Sequence, residues 1–293
     1  MKTLTVFTPT YNRGYCLGNL YSSLLRQTSK DFEWLIVDDG STDNTKNIVQ
    51  AWIEENKISI KYLYQENQGM HGAHNTAYKN IDSEFNVCID SDDFMPDNAV
   101  KVILRNLINL EGQYAGLVGL DADTSGAIIG TKIPEQLNEC TLSSLYEKYQ
   151  VKGDKKLVYK TEIVKKYPQY PLFKGERLVP LSYLYALIDQ DYKLKPINEV
   201  LVIVEYQADG STKNILKQYK KSPRGFACFR ISKINLATGC IDKFKNAMHL
   251  VSCSIFAKDR SLLFKSGSSL LVLISLPFGI LLNMYVRFKI LSD

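Results

Sequence analysis

WLIVDDGSTDNT, residues 34–45, decides the fold. An apolar run from Trp34 to Val37 ends in two carboxylates, Asp38 and Asp39. A turn through Gly40, Ser41 and Thr42 follows, and Asp43 and Asn44 lead into a segment with helical spacing that reaches Glu54. The same alternation continues on both sides. Leu4 to Thr8, Ile58 to Tyr64 and Phe85 to Ile89 read as strands, and Leu17 to Gln27 and His74 to Asn80 as helices. Short apolar strands alternating with helices imply an α/β class with a mostly parallel sheet covered on both faces. Ligands on such sheets bind beyond the carboxyl ends of the strands, where neighbouring loops converge. After residue 100 the pattern loosens into a helix near Asp97 to Asn109, a strand near Tyr114 to Leu120 and a helix from about Arg177 to Ile188.

The chain has 293 residues, 45% of them hydrophobic, enough to bury a sizeable core. Its formal charge of +5 is too mild for a dedicated nucleic-acid binder. Much of the basic excess falls after residue 150, in runs such as Lys213-Lys217-Lys220-Lys221, and suits an anionic membrane surface, a phosphorylated acceptor or a solvated helix face. Six scattered cysteines show no metal or disulfide spacing and fit a reducing compartment. Met1-Lys2 runs directly into a strand-like segment without a signal-peptide pattern, so a cytoplasmic protein is expected.

Residues 269–290, SLLVLISLPFGILLNMYVRFKI, are about as long as a bilayer core is thick, yet Pro277, Gly279 and Asn283 interrupt them. The expectation is an interfacial or re-entrant helix pair lying on the inner face of the membrane. A helix buried in the core or in a homodimer interface is the competing reading.

Four loops carry chemistry. TPTYNR, residues 8–13, ends a strand with Pro9 and offers the Tyr11 ring, the Asn12 amide and the Arg13 cation, a set that can hold a flat base and a phosphate. Asp38 and Asp39 can accept hydrogen bonds from a base imide or a ribose hydroxyl, and Asp43 can cap the following helix. DSDD, residues 90–93, follows an apolar strand; burying it without a counter-charge is costly, and hard oxygen ligands suit magnesium or manganese. Glu66 to Asn75 forms a glycine-rich loop before a helix whose amides can face phosphate. His71 and His74, three apart, lack a third nitrogen or sulfur ligand, so a hydrogen-bonding or core role is expected rather than zinc.

TPTYNR, VDDGSTDNT, ENQGMHGAHNTA and DSDD occur in the order and spacing of family 2 glycosyltransferases, which the chain resembles strongly to about residue 110. LFKGERLVP (172–180) and VEYQADGST (204–212) resemble bacterial members of that family. The resemblance implies an A-type glycosyltransferase fold with a Rossmann-like nucleotide-binding half. Residues 1–215 then form the enzyme domain, with nucleotide-sugar binding in 1–110 and acceptor binding in 111–215, and residues 216–293 a helical, membrane-associating extension. It implies inverting transfer of one hexose or N-acetylhexosamine from a nucleoside-diphosphate sugar, commonly a uridine one, to a lipid-linked saccharide of a cell-surface polysaccharide. Thr8, Pro9, Tyr11, Arg13 and Asp39 would line the nucleoside pocket. Asp90 would approach ribose and sugar, Asp92 would ligate Mn2+ or Mg2+, and Gly69, His71, Asn75 and Ser91 would complete the substrate contacts. Met70 stands where many relatives carry a basic residue, so His71 is expected to substitute. Glu176 is the expected base for the acceptor hydroxyl, although Arg177 and Leu181 depart from positions often acidic in relatives. A nucleotidyltransferase would share the half-sheet and the acidic site, but it needs a Gly-rich, Lys-containing loop where TPTYNR stands. A non-catalytic sugar-nucleotide-binding partner is the remaining alternative. A processive synthase does not fit, because no QxxRW-like motif occurs.

Overall fold

β1 (Leu4–Thr10) is buried along its whole length, as a strand covered on both faces must be. Parallel neighbours flank it, β2 (Phe32–Asp38) on one side and β4 (Phe85–Cys88) on the other, and β3 (Ile60–Tyr64) lies outside β2. With β5 (Tyr114–Asp123), β6 (Lys155–Lys160) and β7 (Lys193–Val204) the order is β3-β2-β1-β4-β6-β5-β7; β6 runs antiparallel to both neighbours and the other pairs are parallel. The A-type, mostly parallel sheet is therefore as expected. This computed structural model describes residues 2–205, 215–237 and 239–292. Residues 206–212 of VEYQADGST and Lys213 lie outside them.

The helices of the first unit are α1 (Leu17–Arg26), α2 (Thr45–Glu55), α3 (Met70–Asn80), α4 (Ala99–Leu107), α5 (Leu142–Glu147) and α6 (Thr161–Lys166). α1 turns Leu17, Leu20, Tyr21 and Leu24 into the core. There the rings of Tyr21 and Trp52 stack 4.4 Å apart, with Trp34 fully buried beside them. The sequence marks neither β6 nor β7, whose burial is mixed rather than continuous or alternating. α3 starts at Met70, four residues before the expected start, because Gly72 lies inside the helix and Gly69, at φ +84°, makes the turn. α7 (Ser182–Asp191) starts later than expected, since Pro180 disfavours helical backbone at Val179.

Packing divides the chain into one unit of Met1–Pro168 with Leu187–Gln207 and another of Gln169–Ala186 with Ala208–Asp293. The sequence reading ran the enzyme domain unbroken to 215. Residues 169–186 join the helices of the second unit because their backbone lies against them: a Cβ on Gly225 would stand 2.0 Å from the Leu178 carbonyl oxygen. Those helices are α8 (Ile215–Lys221), α9 (Pro223–Leu236), α10 (Cys240–Ala257) and α11 (Ser269–Ser292). Tyr219, Phe226, Leu250, Val251, Val272 and Val286 form their shared core.

α11 is one continuous 24-residue helix with Pro277 inside it, not the helix pair expected from its interruptions. Gly279 and Asn283 face α10, while Pro277 is exposed. A Cβ on Gly279 would meet Val251 at 2.4 Å, and the Asn283 amide donates to the Ser252 carbonyl at 3.2 Å. The opposite face is exposed at Leu270, Leu273, Ile274, Leu281, Met284 and Phe288. This helix is long and apolar enough to cross a membrane, with 28% of its most apolar window buried.

Candidate active site

In parallel register Thr10 lies beside Asp38 and Phe7 beside Cys88, so β2, β1 and β4 end side by side at one edge of the sheet. The loop after β1 binds both neighbours. Asn12, at φ +53°, tolerates the left-handed turn because its short amide bonds locally: its Oδ1 accepts from Thr42 N at 2.7 Å, and its N–H donates to Ser41 Oγ at 2.8 Å. Arg13, the next residue, turns the other way and places Nη1 3.9 Å from Asp92 Oδ2. It also donates to the Tyr15 hydroxyl. Gly40 sits at φ +87°, and a Cβ there would stand 2.9 Å from Asn67 N, so the turn after β2 also abuts the glycine-rich loop.

Asp38 is fully buried and accepts from Ser41 N at 2.8 Å and the Tyr62 hydroxyl at 2.6 Å. Asp39, almost as buried, accepts from Gln65 Nε2, Gln68 N and Gly69 N at 2.7–2.8 Å. Its carboxylate therefore shapes the glycine-rich loop, with charge-assisted bonds to backbone amides that would otherwise lack partners. Asp43 accepts from Thr45 N at 3.1 Å at the start of α2 and from Gly14 N at 3.1 Å, which ties the first two loops again.

Around DSDD the charges crowd. Asp92 is partly exposed, Ser91 is buried and Asp90 half-buried. Asp93 is 6% exposed and accepts from Glu205 N at 3.3 Å; burial, with Asp90 and Asp92 nearby, pushes its carboxyl up to about 7 while Lys156 pulls the other way. Among the described residues no group of three or more His, Cys, Asp or Glu side chains is arranged to hold a metal. Magnesium and manganese do not need one, because one or two carboxylates plus substrate phosphates complete their shell, and the partly exposed Asp92 fits that donor set.

The remaining expected contacts divide. Tyr11 is half-exposed, with its ring open to a planar ligand. Thr8 is fully buried, its hydroxyl accepting from the Trp34 indole at 3.0 Å, and Pro9 is buried beside it. Gly69, His71 and Asn75 are buried in and just after the third loop, while Met70 is exposed. His74 packs edge-on against Phe7 at 5.0 Å, and burial lowers its pKa to about 3, so it is a neutral core histidine.

Glu176 belongs to the second unit. Its oxygens accept from Arg224 N at 3.1 Å and Gly225 N at 2.9 Å, in the first turn of α9, with the Arg224 guanidinium 3.6 Å away. It caps a helix that starts 47 residues further along the chain.

Sequence reasoning missed Gln65, Asp121 and Lys156 as residues of this edge. A carboxylate inside the apolar run AGLVGLDA was a visible signal for Asp121; nothing local marked Lys156.

Residues 5–149 match the Glycosyl transferase family 2 model. Glycosyltransferase GlyA of Streptococcus pneumoniae is 31% identical over 112 residues, 38% of this chain and 16% of that protein. A Campylobacter jejuni enzyme, GalNAc(5)-diNAcBac-PP-undecaprenol beta-1,3-glucosyltransferase, is 33% identical over 107 residues, 36% of this chain and 34% of that protein. The chain thus spans about a third or less of the length of these relatives. A structure of S. aureus TarS in complex with UDP-GlcNAc superimposes with a TM-score of 0.64 at 20% identity, covering 96% of this chain and 81% of that one; a likeness at that identity shows the fold. Over residues 5–149, about half of its length, the chain matches glycosyltransferase family 2.

Proposed function

We propose that this chain is an inverting glycosyltransferase that moves one hexose or N-acetylhexosamine from a UDP-sugar to a lipid-linked or oligosaccharide acceptor in cell-surface polysaccharide synthesis. The observation that carries the reading is the bracing of three strand-end loops by consecutive residues: Asn12 binds the loop after β2, and Arg13 reaches Asp92 after β4. The exposed Tyr11 ring can stack on the base, Arg13 can meet phosphate, and Asp92 can ligate Mn2+ or Mg2+. The ion, when bound, offsets charge building on the leaving diphosphate. Asp39 holds the backbone of residues 68 and 69 in place for the nucleotide. The acceptor named for the Campylobacter relative, an undecaprenol-linked glycan, supports a lipid-linked acceptor here.

For the acceptor proton we propose Glu176, and its capping bonds set the test. A Glu176→Gln protein that melts like wild type and binds UDP but transfers no sugar supports the base role. One that turns over normally assigns Glu176 to the cap alone. We also propose that the exposed face of α11 lies on an anionic inner-leaflet surface, helped by Lys258, Arg260, Lys265 and Lys289 around it. A homodimer would cover the same face, and sedimentation without lipid tells the two apart. The central experiment incubates purified protein and manganese with a panel of sugar nucleotides and measures nucleoside diphosphate release. No release from any donor, together with no UDP binding by calorimetry, defeats the proposal.

A further inference from the structure

Two charged residues outside the four loops lie on the same face of the sheet. β5 and β6 pair antiparallel with Leu117 opposite Val158 and Gly119 opposite Lys156. Opposed residues point to the same side, and every second residue repeats it, so Lys156 and Asp121 share the face of Leu117 and Val158. Gly119, across from Lys156, has no side chain of its own, and Leu201 of β7 packs over it. Asp121 pairs with Val202 on β7; the next residue, Ile203, exchanges two backbone hydrogen bonds with Phe94, and Glu205 N donates to Asp93. One strand thus brings Asp121 beside the DSDD loop.

Asp121 is 3% exposed, and its Oδ1 has no hydrogen-bond partner among the described residues. Such an oxygen is costly unless a charge or a ligand answers it. Lys156 is the charge. Burial by itself would lower its pKa, yet Asp121, Asp90 and Asp93 together hold the ammonium above its ordinary value. Three carboxylates share this one cation, which disfavours a phosphate at this spot. Hydroxyl groups suit it better, since each can donate to a carboxylate and accept from the ammonium without adding charge.

We propose that Lys156, held in position by Asp121, forms with Asp90 and Asp93 a polyol subsite that grips hydroxyls of the transferred sugar in the donor. The subsite rests on the reading of the cleft as a nucleotide-sugar site. Lys156 is the contact residue; Asp121, buried on the same face of the sheet, is a positioning residue.

The test uses acceptor-free hydrolysis of UDP-glucose, UDP-N-acetylglucosamine, UDP-galactose and GDP-mannose with manganese, and calorimetry with UDP. For the best donor, Lys156→Met raises KM about tenfold or more, as loss of a charged hydrogen bond should. Its affinity for UDP, which has no sugar to grip, stays within about twofold of wild type. Lys156→Arg recovers part of the loss, and Asp121→Asn shows a smaller one in the same direction. If Lys156→Met does not fold, the charge-matched Asp121→Asn/Lys156→Met pair takes its place and is expected to give the same split. Unchanged donor KM, or equal weakening of UDP and donor, overturns the subsite alone. A wild type that binds no UDP and hydrolyses no donor overturns the glycosyltransferase reading and the subsite together.

Discussion

The strand tips of the first unit and the α11 face of the second unit solve opposite problems. At the tips, charge is dense and nearly every carboxylate has an answer: Asp38 and Asp39 bond to loop donors, Asp92 to Arg13, and Asp93 to a backbone amide. On α11 the buried side sets Ser275 and Asn283 among Val272 and Val286, while leucines and phenylalanines face outward. So large an apolar outer face is the kind of surface on which the proposed membrane docking rests. The difference separates residues proposed to serve the nucleotide from those proposed to serve docking, and it can be attacked from both ends.

The largest effect is expected at the tips. Asp92→Asn should cut donor hydrolysis by about 100-fold or more if Asp92 is a metal ligand, with the melting temperature unchanged, because the side chain is partly exposed. Steady-state nucleotide release and a thermal melt read both. Next in size is the α10–α11 contact. Gly279→Val drives two methyls into Val251 and should cost about 2–3 kcal/mol in urea unfolding, while leaving UDP affinity at the tips unchanged.

Acid should weaken both units through buried histidines. Burial and Arg230 lower the pKa of His249 to about 4, so the fold favours its neutral form. The sign follows from that depression. Stability is whole above the unfolded value near 6.5 and falls as pH drops towards 4, by about 2 kcal/mol. His249→Gln should flatten that slope in unfolding measured from pH 7 to pH 4; an unchanged slope assigns it to other groups. The smallest effect on folding is expected on the outer face of α11. Leu273→Glu with Leu281→Glu should change stability by no more than about 0.5 kcal/mol yet abolish cosedimentation with anionic vesicles.

The half of the fold that was legible in the sequence is the half built from continuous apolar strands. β1 and β2 are buried on both faces and carry runs that only such a strand explains. β7 has exposed Asn198 and Glu199 within it and a register shift against β5, so its pattern never repeats long enough to read. The site divides in the same way. Asp39 and Asp92 were legible as carboxylates at strand ends, but their partners depend on which strands become neighbours. Glu176 is the sharpest case: its capped amides lie 48 and 49 residues downstream, a distance over which no local pattern carries information. Gly279 and Asn283 look like breaks because the sequence cannot reveal that α10 comes close enough to need a missing Cβ and an amide.

The three bonds that Asp39 makes to Gln65, Gln68 and Gly69 carry a consequence for binding speed and economy. If this loop meets phosphate as proposed, it is already fastened and has little freedom left to lose when nucleotide arrives, so less of the ligand's attraction goes into ordering the chain. Cutting that fastening should harm the arrival of the nucleotide more than the chemistry that follows it.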